Sequence, residues 1–237
     1  MGTSKHDSRQ VQPSENSCVA CTAEAFGPFC KSSSKTIQKM DQGRAFGRYQ
    51  AGQILYQEGN PAQGVFCVKK GLVKMSRLGQ QGVEHILATA GPGSLIGMMP
   101  YLQGGNLDHS AVAATPLEVC HVTDKSFREG LDSDPALLKS VAEYLANELS
   151  ELRERWMDRS EGTISDRLMT MLNDLPREAG NTVHSVSIPL SRKELGSYLG
   201  AAPETVMRAL KKLSAEGRIL VRGREIVLIA SNNGETH

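Results

Sequence analysis

Three of the five cysteines lie near the start of the 237-residue chain, at Cys18, Cys21 and Cys30. Thiolates are soft ligands that suit both zinc and iron–sulfur clusters, and two cysteines separated by two residues can bind one side of such a centre. Gly27 and Pro28 predict a bend that returns Cys30 towards the other two. Five unevenly spaced cysteines do not suit a secreted disulfide framework, so in a reducing compartment these three indicate metal or redox ligands.

A second candidate site is a pair of short helices near the C-terminus. Ser191 and Glu194 form a capping box that predicts a helix over 192–199, and Gly200 predicts its end. A proline predicts the start of a second helix over 203–216. Two helices joined by so short a turn indicate a helix-turn-helix. Their shared core is expected from Leu195, Leu199, Val206, Leu210 and Leu213.

Charge and spacing indicate that this pair of helices binds DNA. Residues 191–222 hold seven Lys and Arg against three Glu, a local net charge of +4 that suits phosphate contacts. Glu204 and Arg208 lie four apart on one helix face; arginine suits guanine and glutamate suits cytosine, while Met207 suits a thymine methyl. The alternative for Glu204 and Arg208 is an intrahelical ion pair. The candidate DNA contacts are Ser191, Arg192, Pro203, Glu204, Met207, Arg208, Lys211 and Lys212.

The rest of the chain predicts the elements that position these sites. Residues 46–127 alternate short β-rich segments with glycine-rich turns, which indicates a small barrel or roll. A helix over about 164–175, a strand over 185–188 and a hairpin of 219–221 with 226–229 complete a compact α+β unit around the helix-turn-helix. The hairpin predicts a two-stranded wing.

A long helix is predicted between these two parts, from Asp134 to about Arg159. Its apolar residues recur at spacings of three and four and form one stripe. Packing on its own domain is one explanation of the stripe, but a helix of this length that joins two compact regions favours pairing with its copy in a second subunit. The candidate dimerisation residues are Leu138, Val141, Leu145, Leu149, Leu152 and Trp156.

Composition limits the class of protein. Lys and Arg number 27 and Asp and Glu 26, so the formal net charge of +1 excludes a uniformly basic coat for nucleic acid. No apolar run reaches the roughly 20 residues that span a bilayer, and residues 1–17 form a polar tail without a secretory pattern. We therefore expect a cytoplasmic protein with no membrane partner. Catalytic glycine motifs, a nucleophile elbow and paired carboxylates do not stand out, so we expect no enzyme activity.

The order of elements resembles the CRP/FNR superfamily of bacterial transcription regulators. The resemblance rests on the long helix and on the strings Gly52–Gly59, Lys70–Lys74, Gly93–Gly97, Ser191–Gly200 and Pro203–Arg208. It implies an α+β protein with an N-terminal β-roll of the cyclic-nucleotide-binding type, a dimerisation helix and a C-terminal winged helix-turn-helix. It also implies a homodimer on palindromic promoter DNA, with RNA polymerase as a further partner. The expected limits are 1–35 for the tail and cysteine segment, 36–131 for the roll, 132–160 for the dimerisation helix and 161–237 for the DNA-binding domain.

Within the superfamily, the cysteines are similar to those of the FNR-type oxygen sensors. That resemblance implies a 4Fe–4S cluster held by Cys18, Cys21, Cys30 and, about ninety residues later, Cys120. The gap of eight residues before Cys30 is longer than the five common in these sensors. Zinc, a thiol–disulfide switch and inert thiols remain alternatives, as does a small effector bound in a cluster-free roll. Cys67, within a strand-like segment, is expected to be a buried small apolar residue.

Cyclic AMP is not an expected ligand. The cAMP-responsive branch places a glutamate and an arginine in the roll to hold the ribose and the cyclic phosphate. The comparable residues here are Met98 and His109. A thioether is a weak hydrogen-bond acceptor and a neutral imidazole is a poor partner for phosphate.

Overall fold

Two four-stranded antiparallel sheets form the roll. The structure is a computed structural model that describes residues 27–80, 82–175, 185–187, 190–223 and 225–229. The strands of the roll are β1 (Arg44–Tyr49), β2 (Ile54–Tyr56), β3 (Gly64–Lys70), β4 (Val73–Leu78), β5 (Glu84–Ala90), β6 (Leu95–Ile96), β7 (Ser110–Ala113) and β8 (Leu117–Thr123). Their orders in the two sheets are β1-β8-β3-β6 and β2-β7-β4-β5. A tight turn joins β3 to β4 at Gly71, whose φ of 86° and whose closeness to the Pro116 carbonyl leave no room for a side chain.

Alternation along β3 and β8 divides their side chains between two faces. Val68 and Val119 face the interior of the roll and pack in its core cluster. The residues before and after them in the chain, Cys67 and Cys120, share the opposite face. The apolar cluster on that face includes Val65 and is formed with the helices that cover the sheet.

Five helices surround the roll and lead away from it. A short 3-10 helix (Pro28–Lys31) precedes α1 (Ser34–Gln42), α2 (Met98–Leu102), α3 (Asp124–Ser133) and α4 (Pro135–Glu161). A buried Phe127 on α3 packs edge-on against Phe29 of the 3-10 helix, with ring centroids 5.7 Å apart. These rings place the 3-10 helix, which contains Cys30, on the same sheet face as Cys120. No helix in the described part of the chain is long and apolar enough to cross a membrane.

The C-terminal unit packs three helices on a small sheet of order β10-β11-β9. Its elements are α5 (Ile164–Asp174), β9 (Ser185–Ser187), α6 (Arg192–Leu199), α7 (Pro203–Ala215), β10 (Ile219–Arg222) and β11 (Glu225–Leu228). The predicted shared core of the helix-turn-helix is present: all five apolar residues are buried in one cluster. Leu72, from the turn between β3 and β4, belongs to this cluster too, so the roll and the C-terminal unit are packed together.

The predicted fold class is confirmed, and several elements were not predicted. The roll holds β1, β6 and β7 in addition to the expected strands, and α1, α2 and α3 pack around it. The long helix begins at Pro135 and ends at Glu161, close to the prediction. The expected domain limits of 1–35, 36–131, 132–160 and 161–237 stay a prediction.

Candidate functional site

The helix-turn-helix is built from local signals. Ser191 Oγ accepts from the Glu194 backbone N–H at 3.3 Å, and the Glu194 carboxylate accepts from the Ser191 N–H at 2.7 Å, which completes the capping box. Gly200, at φ 67°, ends α6 in the left-handed region. A Cβ on Gly196 would lie 2.7 Å from the Ala201 carbonyl oxygen, so glycine allows the turn to return closely to the helix.

The outer face of α7 presents the residues that were assigned to base contacts. Glu204 and Arg208 are exposed, and Met207 is half-buried against the core of the unit. The Arg208 guanidinium donates to Thr205 Oγ1 at 3.2 Å instead of bonding to Glu204. The intrahelical ion pair, the alternative to a DNA contact, is therefore not what orients Arg208 in this structure.

The remaining candidate DNA contacts lie around that face. Arg192 and Lys211 are exposed, and Lys212 is exposed with its ammonium 3.8 Å from Glu216. Ser191 and Pro203 stand at the N-terminal ends of α6 and α7. Helix N-termini favour phosphate, so both positions suit contacts with the DNA backbone. The assignment of all eight residues to DNA contact stays a prediction.

A polar contact fixes α6 to the edge of the roll. Lys74 on β4 bonds to Glu194 and lies 3.3 Å from Glu84 on β5. The Ile86 backbone N–H donates to Ser197 Oγ at 3.1 Å. Burial opposes ionisation of Glu194, but hydrogen bonds from Lys74 and Ser191 outweigh it and lower the pKa of that carboxyl. Glu194 thus caps α6 and joins the DNA-binding unit to the roll.

The structure describes the proposed metal ligands unequally. Cys18 and Cys21 lie outside the described residues. Cys30 lies in the 3-10 helix, but its side chain is not among those that the structure describes. Cys120 lies within β8 and is 6% exposed. Among the described side chains, no three His, Cys, Asp or Glu residues group in a way that could hold a metal ion. A metal centre at Cys120 therefore requires ligands from outside that set.

One cation contacts the sulfur of Cys120. The Arg44 guanidinium donates to its Sγ at 3.1 Å, and Asp41 holds that guanidinium from the other side. Phe46 on β1 lies opposite Cys120 on β8, and the Lys69 ammonium lies 5.6 Å from the centre of the Phe46 ring. A cation beside sulfur stabilises the thiolate, which is the form that binds metals. The one described sulfur among the predicted ligands, that of Cys120, therefore lies where a cation favours the thiolate form.

The segment after Cys30 is tied to the long helix. Asp134, the residue before α4, accepts from the Ser33 backbone N–H at 2.9 Å and from the Ala136 N–H at 3.0 Å. A hydrogen bond from the Thr36 hydroxyl, followed by the one from Ser33, lowers the pKa of the Asp134 carboxyl. One carboxylate therefore links the start of α1 to the start of α4.

The apolar stripe of α4 divides into a buried and an exposed part. Val141 is 3% exposed and packs in the cluster of its own chain, and Leu145 is partly buried against the same cluster. Val141 is thus a core residue of its own subunit in this structure, which differs from its expected place in a dimer seam. Its side chain faces the sheet because the first turns of α4 cover the roll. The exposed members of the stripe are Leu138, Leu149, Leu152 and Trp156.

Comparisons with known proteins agree with this architecture. The family model of the cyclic nucleotide-binding domain matches residues 46–134, and that of the Crp-like helix-turn-helix domain matches residues 166–231. The transcriptional activator protein anr of Pseudomonas aeruginosa is 27% identical over 224 residues, 89% of each chain. The cAMP-activated global transcriptional regulator CRP of Salmonella typhimurium is 26% identical over 184 residues, 76% of this chain and 88% of that one.

A solved structure has the same fold. FixK2 from Bradyrhizobium japonicum is 26% identical, with a TM-score of 0.67 over 79% of this chain and 93% of its own. The chain belongs to the CRP/FNR superfamily. It is a DNA-binding transcription regulator, as the resemblance implied.

In this CRP/FNR regulator, His109, which was predicted to stand in place of the phosphate-binding arginine of the cAMP-responsive branch, belongs to a polar group of the roll. The Tyr56 hydroxyl lies 2.7 Å from His109 Nε2, and His109 Nδ1 lies 2.7 Å from Asp108. Burial, followed by the negative charge of Asp108, raises the pKa of Tyr56. Met98 is buried among apolar side chains on the far side of the sheet, in the cluster with Phe127. The imidazole therefore already has two polar partners within the protein.

Sequence reasoning missed two polar residues, Arg44 beside Cys120 and Asp134 before α4. Arg44 lies just before the β-rich segment 46–127, and its contact with Cys120 depends on the pairing of β1 with β8. Asp134 was expected only to precede the long helix. An aspartate before a proline is a helix-start signal, but nothing in the local sequence indicates its bond to Ser33, 101 residues away.

Proposed function

We propose that the protein is a cytoplasmic redox-responsive regulator that binds palindromic promoter DNA as a homodimer while a 4Fe–4S cluster is bound. The carrying observation is the buried Cys120 sulfur, which accepts a hydrogen bond from Arg44 on the sheet face that also carries the 3-10 helix. Oxygen is the proposed signal, because the cysteines resemble those of FNR-type sensors.

Four thiolates would hold the cluster: Cys18, Cys21, Cys30 and Cys120. When bound, the cluster supplies an oxidisable centre that joins the N-terminal segment to β8. Arg44 offsets the negative charge that four thiolates bring to this face, and Asp41 orients the guanidinium. The same four thiolates suit zinc, so the metal itself is the first thing to test.

The chain carries the state of this centre to the dimer helix. Phe29 is adjacent to Cys30 and packs on Phe127, and Ser33 bonds to Asp134 at the start of α4. Binding of the centre by Cys18, Cys21 and Cys30 would favour these contacts and with them one position of α4. A differential stability of a few kcal/mol between two states is enough to change the population of dimer.

The exposed stripe of α4 is the proposed dimer interface. Trp156 is 70% exposed, and pairing with a second copy would bury it together with Leu138, Leu149 and Leu152. The dimer presents two α7 helices to half-sites one DNA turn apart. We expect each half-site to contain a G-A step, with Arg208 on guanine and Glu204 on the opposite strand. RNA polymerase is the further partner expected for a promoter-bound regulator.

The test is iron and acid-labile sulfide analysis of protein purified without air. Wild-type protein should be brown, contain both elements and bleach in air. Changing Cys18, Cys21, Cys30 or Cys120 to Ser should each remove most of the iron. Cys67→Ser is the matched control and should retain iron, because Cys67 is not a proposed ligand.

Two results would overturn the assignment. Colourless protein that contains zinc at about one atom per chain would replace the cluster with a zinc site. Iron retained in Cys120→Ser would remove β8 from the centre. DNA binding by the air-free wild type and its loss in air, measured by fluorescence anisotropy on a palindromic duplex, would connect the centre with promoter binding.

A further inference from the structure

Cys67 and Cys120 lie directly opposite each other on β3 and β8. Neither sulfur is part of a disulfide in this structure. In antiparallel sheets, directly opposed residues share one face and have Cα atoms about 4.5–5.5 Å apart. Disulfides join Cα atoms about 4.4–6.8 Å apart. The register therefore permits a covalent bond between the two sulfurs without a change in strand pairing.

The two thiols differ in access. Cys120 is buried beside the Arg44 guanidinium, whereas Cys67 is only partly buried at the edge of the apolar cluster. A small oxidant can thus reach Cys67 first, and the neighbouring thiol is close enough to complete the reaction. This pair does not depend on the segment 18–30.

We propose that Cys67 and Cys120 form a redox-active dithiol that a peroxide converts into a cross-strand disulfide. The Cys67 sulfur attacks one peroxide oxygen, the O–O bond breaks, and Cys67 becomes a sulfenic acid as one water leaves. The Cys120 sulfur then attacks the Cys67 sulfur, and the hydroxyl leaves as a second water. In sum, hydrogen peroxide accepts two electrons and two protons from two thiols and yields two waters.

The disulfide would regulate the proposed sensor. A sulfur in a disulfide is not a thiolate, so Cys120 could not bind a metal until the bond is reduced. This consequence rests on the proposed function, but formation of the disulfide does not. Peroxide would then prevent metal binding at Cys120 by a reaction that is separate from the oxidation of the cluster by oxygen.

The test uses the full-length chain with Cys18, Cys21 and Cys30 all changed to Ser, which leaves Cys67 and Cys120 as the only thiols. After hydrogen peroxide, the thiols available to a maleimide in denaturant should fall from two to none per chain, and dithiothreitol should restore both. Peptide mapping without reductant should find the tryptic peptides that carry Cys67 and Cys120 joined. Wild-type apoprotein should yield the same joined peptides.

Cys67→Ala in the same background is the control. It should yield no joined peptides within a monomer, whereas any sulfenic acid at Cys120 would be reduced by dithiothreitol without a disulfide. Two thiols that stay reactive, oxygen added to each sulfur without a joined peptide, or a bond only between chains would each overturn the proposal. Because this protein lacks three of the proposed ligands, failure here leaves the cluster assignment untouched, and absence of iron in the wild type leaves the dithiol untouched.

Discussion

The DNA-binding unit (residues 164–229) and the proposed sensor face of the roll, which carries Cys67 and Cys120, are assembled in different ways. In the DNA-binding unit, the cap at Ser191, the left-handed Gly200 and the exposed Arg208 all lie within 18 positions of one another. On the sensor face, Arg44 meets Cys120 and Ser33 meets Asp134 across separations of 76 and 101 residues. The first site follows from local rules of helix formation, and the second exists only when the strands of one sheet and the helices that cover it have come together.

This difference predicts how the two regions respond to damage. Phe127→Ala should lower the free energy of unfolding by about 3–5 kcal/mol, because a fully buried ring is lost. It should also lower iron content, since Phe127 packs on Phe29 beside Cys30. Urea denaturation and iron analysis measure the two effects.

Leu213→Ala is the matched control in the DNA-binding unit. It should cost about 2–5 kcal/mol, because Leu213 is equally buried, and leave iron content unchanged under conditions where the protein is folded. Equal loss of iron in both variants would mean that iron content follows the overall stability of the protein and does not depend on the contact between Phe127 and Phe29.

A change at the DNA face should affect binding without affecting the fold. Arg208→Ala is expected to weaken specific DNA binding by about 1–3 kcal/mol and to relax the preference at one base pair. Its exposure means that the urea midpoint should not move. Lys211→Ala is the control: loss of a phosphate contact should weaken binding to all sequences alike. An unchanged base preference in the Arg208 variant would refute the assignment.

The polar contact between α6 and the roll should contribute less to the free energy of unfolding. Lys74→Met should lower the free energy of unfolding by about 1 kcal/mol, because Glu194 and Glu84 lose their cation. The loss should shrink in 1 M salt. Lys212→Met removes an exposed ion pair in which the Lys212 ammonium lies 3.8 Å from the Glu216 carboxylate, and it should hardly change the free energy of unfolding. The idea of a joint between the regions fails if the two variants behave alike.

The smallest effect concerns the charge of Asp134. Its folded-state pKa lies below the ordinary value of 3.8, so the ionised form stabilises the fold at neutral pH. This stabilisation is fully present above about pH 3.8 and is lost as the pH falls towards the folded-state pKa. Asp134→Asn keeps a helix cap and removes the charge. The difference in Tm between wild type and variant should therefore shrink below pH 3.8; a constant difference would exclude the charge as its source.

The same contrast explains what could be predicted from the sequence. The bounds of α6 were predicted as 192–199 and are confirmed, because capping, apolar spacing and a stop glycine lie within ten residues. The start of α7 at Pro203 is confirmed for the same reason. The roll was predicted from its turns, which are local as well.

The missing parts depend on partners distant in the chain. β1 contains Gly47 and two arginines, and only its pairing with β8 makes it a strand. β7 consists of small residues, and α2 has only five residues, so neither has a clear period. The opposition of Cys67 and Cys120 depends on strand register, which hydrophobic patterns specify only when the neighbouring strand is known.

The bond between Ser33 and Asp134 bears on how the protein can be shortened. A fragment that starts at Arg44 would keep every strand of the roll, yet its Asp134 would lose the donors that Ser33 and Thr36 provide. The Asp134 carboxylate would then be exposed on the surface that α1 covers in the longer chain, and the first turn of α4 would lose contacts that hold it in place. Fragments intended for DNA-binding work should therefore begin no later than Ser33, even when the cysteines themselves are not needed.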